Sequence, residues 1–70
     1  MSEETNPYGL TKRELEVLGL LVAGLTDEQI ALALGTDPAE VGNQVGQICT
    51  RLGVRSRTEA GVRAIREGLV

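Results

Sequence analysis

Hydrophobic positions along the 70-residue chain recur at three- and four-residue spacing in four separate stretches. That spacing places them on one face of an α-helix and does not fit the strict alternation of a half-buried strand. Leu15, Leu18, Leu21 and Val22 mark the first helix, and Ile30, Ala31 and Leu34 the second. Val41, Val45, Ile48 and Leu52 fall on a single stripe of the third. The fourth carries two apolar faces: a bulky stripe of Val62, Ile65 and Leu69, and a face of small residues, Ala60, Gly61, Ala64 and Gly68. The bulky stripe is expected to pack on the core. The small face is then either an ordinary surface or a seam along which a second copy approaches closely.

Polar residues punctuate these stretches. Thr11 with Glu14, Thr26 with Gln29, Asp37 with Glu40 and Ser56 with Glu59 each have the spacing of a capping box. In that motif the first side chain takes an orphan N–H of the first turn, and the second reaches back to the cap. Pro38 sits in the first turn, where a missing N–H costs nothing. Leu10 with Leu15, and Leu25 with Ile30, occupy hydrophobic-staple positions around two of the caps. Gly24, Gly35 and Gly53 stand where the first three helices should stop. The expected helices are 12–23, 27–34, 38–52 and 57–67, joined by tight turns in one all-α domain over residues 10–70. Residues 1–9 are expected to be a flexible lead-in.

Composition narrows the function classes. Tyr8 is the one aromatic residue, so Leu, Ile, Val and Ala must fill a single modest core, which oligomerisation would help to stabilise. Cys49 is alone, which rules out an internal disulfide, fits a reducing compartment and makes the residue a small hydrophobe at the core edge. No apolar run reaches the length of a membrane span and no signal peptide is recognisable, so a cytoplasmic location is expected. Met1 and the short acidic lead-in fit a stand-alone chain. There is no His, the serines are Ser2 and Ser56, and neither a metal-ligand cluster nor a phosphate-binding loop occurs. An enzyme, a metal and a cofactor are therefore not expected.

Residues 25–54 form a short helix, a glycine turn and a longer helix, the frame of a helix-turn-helix DNA reader. Charge runs against that frame. Residues 27–50 hold Asp27, Glu28, Asp37 and Glu40 and no Lys or Arg, a balance of −4. Residues 51–70 hold five arginines against Glu59 and Glu67, a balance of +3. Attraction to phosphate must therefore come from the C-terminal third and from the start of the first helix.

Several runs resemble the LuxR-type helix-turn-helix domain. They are Leu10-Thr11-x-Arg13-Glu14-x-Glu16-Val17-Leu18, then Gly24-Leu25-Thr26-x-x-x-Ile30-Ala31-x-x-Leu34, then Val41 and Ile48. Leu52-Gly53-Val54-Arg55-Ser56-Arg57-Thr58-Glu59-Ala60 and Gly68-Leu69-Val70 follow. The resemblance implies a four-helix domain whose third helix enters the major groove of double-stranded DNA and whose fourth mediates a homodimer. It also locates the departures. Glu28, Glu40, Gly42, Gln44 and Gly46 stand where the family commonly has basic or polar contact residues, whereas Arg51 and Arg57 are kept.

Opposite the core stripe of the third helix lie Ala39, Asn43, Gly46, Gln47 and Thr50, flanked by Glu40 and Gly42. Ala39, Glu40, Gly42, Asn43, Gly46 and Gln47 are the base-reading candidates. Asn43 and Gln47, amides on adjacent turns, match adenine edges, and Glu40 matches a cytosine amino group. Thr11, Lys12, Thr26, Thr50, Arg51, Arg55 and Arg57 are the phosphate-contact candidates. The small face Ala60, Gly61, Ala64 and Gly68 is the candidate dimer seam. The leading expectation is a dimeric DNA-binding transcriptional regulator with an acidic, glycine-containing recognition helix. The alternative is a degenerate helix-turn-helix whose bare Gly42/Gly46 strip holds a protein partner, another regulator or the transcription machinery. A domain like region four of a sigma factor shares the turn but lacks the Leu52-to-Ala60 tail and the complete fourth helix.

Overall fold

The computed structural model describes residues 6–70, which form four α-helices and, among those residues, no strand. They are α1 (Lys12–Val22), α2 (Asp27–Leu34), α3 (Pro38–Leu52) and α4 (Arg57–Arg66). Each start lies at its expected position, and α1 and α4 stop one residue early. Of the lead-in, residues 1–5 lie outside the described residues. Residues 6–9 are tied to the domain. The Asn6 carboxamide accepts the Tyr8 and Leu10 N–H groups and donates to the Leu10 carbonyl, and the Tyr8 hydroxyl bonds to Glu67 beyond α4.

The N-caps decide where the helices begin. Thr11 and Thr26 form complete capping boxes with Glu14 and Gln29. Asp37 and Ser56 accept the N–H of Glu40 and Glu59, but the return half of those boxes is absent. Glu59 instead takes the Arg55 N–H at 2.7 Å, one residue ahead of the cap, and Glu40 turns along its own helix to Gln44. At the helix-turn-helix corner Gly35 adopts φ +72°, a left-handed conformation costly for a side-chain-bearing residue. That geometry lets the Gly35 and Thr36 N–H groups both close on the Ala31 carbonyl, so the chain reverses in three residues before Pro38.

The core is aliphatic and joins all four helices. Leu10, Val17, Leu18, Ile30, Ala31, Val41, Val45, Ile48, Leu52, Ala60 and Ala64 are buried. The stripe expected on α3 is buried in full. In α1 the periodicity missed Val17, which is completely enclosed, while Leu15, Leu21 and Val22 are only partly covered. α3 is held by α1, α2 and α4, and α1 also packs along α4. A helix gripped on three sides presents its remaining side to solvent in a fixed orientation.

The expectation for α4 is reversed. Ala60, Gly61 and Ala64, assigned to a surface seam, are buried inside the protomer, while Val62 and Ile65 from the supposed core stripe are 49% and 64% exposed. The reason is helix–helix distance. A Cβ placed on Gly61 would stand 3.6 Å from side-chain carbons of both Leu21 and Val22, so α4 lies close enough to α1 that small residues fill the gap. Gly68 is not on that face. It takes φ +69° just past the helix, allowing the Leu69 N–H to reach the Ala64 carbonyl and turning Leu69 back toward the core.

Candidate nucleic-acid interface

Because the inner stripe of α3 is locked, its outer side is defined by elimination. Ala39, Glu40, Gly42, Asn43, Gly46, Gln47 and Thr50 are all exposed, as the helical spacing requires. Glu40, Asn43, Gly46, Gln47, Thr50 and Arg51 line one open, shallow depression along the helix. Its floor is bare at Gly46, where an added Cβ would meet nothing within 4 Å. Gly42 faces the start of α2, and its added Cβ would stand 3.9 Å from an Asp27 carboxylate oxygen.

The polar side chains on this face are not equally available. Thr50 turns its hydroxyl onto the Gly46 carbonyl at 3.1 Å. Gln44 is half-buried, donates to Glu40 at 3.4 Å, and has its amide oxygen enclosed without a partner among the described residues. Asn43 and Gln47 form no side-chain hydrogen bond among the described residues, and both amides project outward.

The basic residues fall into two groups, and this division could not be read from the sequence. Arg51 reaches across to α1, where it donates to the buried Glu14 carboxylate at 3.2 Å and to the Gly9 carbonyl. The same Glu14 oxygen accepts the Thr11 N–H at 2.9 Å, so one carboxylate completes the α1 cap and anchors the end of α3. Arg57, at the first position of α4, is paired with Asp27 at the first position of α2. Lys12 and Arg55 are exposed and, among the described residues, make no ion pair. Thr11 and Thr26 are exposed at their helix starts, although their hydroxyls already serve as caps. Sequence reasoning also missed Arg63, which donates to the Leu52 carbonyl at 3.1 Å and so covers the C-terminal end of α3.

Cys49 lies on the flank of α3, partly covered by the core. Desolvation raises its thiol pKa, with Glu59 acting in the same direction and Arg57 opposing. A thiol so placed is a packing residue and a poor nucleophile at neutral pH. Among the described residues no group of His, Cys, Asp and Glu could hold a metal ion, and no helix is long and apolar enough to cross a membrane.

A capped two-helix corner that presents the second helix outward from a packed base defines a helix-turn-helix domain. Residues 8–64 match the family described as bacterial regulatory proteins, luxR family. The spore germination protein GerE of Bacillus subtilis is 41% identical over 59 residues, covering 84% of this chain and 80% of GerE. The chain belongs to this family of bacterial regulatory proteins. It is also 42% identical over 60 residues to the transcriptional regulatory protein LnrK of Bacillus subtilis, covering 86% of this chain and 27% of LnrK. With the DNA-binding transcriptional activator DevR/DosR of Mycobacterium tuberculosis the identity is 41% over 64 residues, 90% of this chain and 30% of the activator. The chain thus spans less than a third of the length of these two regulators.

Proposed function

We propose that this chain binds double-stranded DNA as a homodimer, inserting the outer face of α3 into the major groove and pairing through α4. The observation that carries the first half is the orientation of α3: three neighbouring helices bury its apolar stripe, and the opposite side, with Asn43 and Gln47, is exposed. Phosphate contacts come from Lys12, Arg55 and the N–H groups at the starts of the helices, because Arg51 and Arg57 are already paired within the protomer. The dimer surface is the bulky side of α4. Val62 and Ile65 stand exposed beside Leu21, Val22 and Leu25, which line the same open groove. Two copies joined there would address half-sites about 34 Å apart, one turn of DNA.

Titration of duplex DNA, random and enriched, at low and moderate salt tests this reading. Binding should weaken steeply with salt and on Arg55→Ala, and Ile65→Asp should convert a dimer to a monomer in sedimentation. Arg55 is the cleaner probe, since loss of Arg51 would also strand the buried Glu14 carboxylate. Absence of binding to every duplex at low salt would sink the proposal.

A second reading is supported by the same ion pairs. With two arginines neutralised, and Glu28, Asp37 and Glu40 around the corner, the Gly42/Gly46 side suits a basic protein partner. That reading requires Gly42→Leu or Gly46→Leu to abolish capture of the partner while the fold is retained.

A further inference from the structure

We infer that the recognition helix selects adenine–thymine pairs through Asn43 and Gln47 and carries no reader for guanine; this rests on the DNA-binding reading above. The commonest specific contact in the major groove is a bidentate Arg or Lys on guanine O6 and N7. Residues 38–50 contain neither. Arg51, the first cation along α3, borders the depression, but its Nη1 is held by Glu14 and the Gly9 carbonyl.

The remaining outward groups narrow the choice. Thr50 is satisfied by its own helix, and Gln44 is turned toward Glu40 with its oxygen enclosed. Glu40 has only acceptor oxygens, which repel the two acceptors of guanine, and the Gln44 amide occupies the carboxylate that a cytosine amino group would need. Asn43 and Gln47 each offer one donor and one acceptor, the complement of adenine N6 and N7. Four residues apart, they sit on successive turns of the exposed side, so they face neighbouring base pairs along the groove. Between them Gly46 leaves the helix surface open, giving the thymine methyl of such a pair a place to lie without collision.

Selection of sequences from a random duplex library by the full chain, repeated with Asn43→Ala, Gln47→Ala and Asn43→Arg, tests the assignment. Wild type should enrich sites with fixed adenine–thymine pairs in each half. Each alanine variant should release the preference at one position and weaken binding to the best site by about 5- to 150-fold, the range for one bidentate base contact, with random DNA affected little. Asn43→Arg should move its position to guanine. Enrichment of fixed guanine–cytosine pairs by wild type, or an unchanged site in both alanine variants, overturns the assignment and leaves DNA binding standing. No enrichment and no affinity for any duplex overturns both.

Discussion

Helices α3 and α4 are both amphipathic, yet they bury opposite kinds of side chain. α3 puts Val41, Val45, Ile48 and Leu52 inward and leaves a polar side to solvent. α4 puts Ala60, Gly61 and Ala64 inward and leaves Val62 and Ile65 outside. The difference teaches that a hydrophobic stripe indicates a buried face only when the partner helix stands far enough away to need filling. α3 bridges α1, α2 and α4 and must supply volume. α4 lies against Leu21 and Val22, where the volume is already present. The bulky residues left over on α4 form the apolar surface that the dimer proposal uses, whereas α3 has none to spare.

The sharpest test of this contrast uses one residue type on both helices. Ile48→Ala should cost about 2–5 kcal/mol in denaturant unfolding, because Ile48 is enclosed and its removal leaves a cavity. Ile65→Ala should stay within about 0.5 kcal/mol for the monomer, measured at a concentration below that of any dimer. Equal losses would mean that Ile65 is a core residue after all.

Next in size, Ala64→Leu should destabilise by about 1–3 kcal/mol, since an isobutyl group in place of a fully buried methyl has to push α4 away from its neighbours. If α4 carried its small residues on the surface, the same change would be neutral or slightly favourable. A smaller effect of opposite sign is expected on the outer side of α3. Gly46→Ala should raise stability by about 1 kcal/mol, because its methyl group meets no atom and alanine is the better helix former. A loss there would reveal a contact that the open surface does not contain.

The smallest effect concerns the boundary between the two sides of α3. Burial holds the Cys49 thiol protonated beyond its usual range, so its alkylation by iodoacetamide should be slower in the folded chain than in urea. The folded-state rate should continue to climb at pH values where an exposed thiol has already levelled off. The linkage has one sign: a raised thiol pKa contributes stability at neutral pH, and that contribution is lost as pH rises through the folded-state value. Equal rates in the two states would place Cys49 on the exposed side.

Much of the molecule was legible before its structure. The four helix starts follow from Thr11, Thr26, Asp37 and Ser56, and the corner follows from Gly35 and Pro38. These features depend on hydrogen bonds between residues three to five apart, so neighbouring side chains are enough to specify them. The inward face of α3 was equally plain, because that helix has one apolar stripe and nothing to compete with it. The deficit of positive charge on its outer side was visible by composition alone.

The tertiary structure decided what depended on distance between elements. Which apolar face of α4 turns inward is set by its separation from α1, and no periodicity within α4 carries that length. The availability of the arginines is of the same kind. Arg51 finds Glu14 and Arg57 finds Asp27 across 37 and 30 residues of sequence, so two cations that look like phosphate contacts are consumed in holding helices together. Local chemistry fixed the helices and the corner; the placement of one helix against another fixed which side chains were left for a partner.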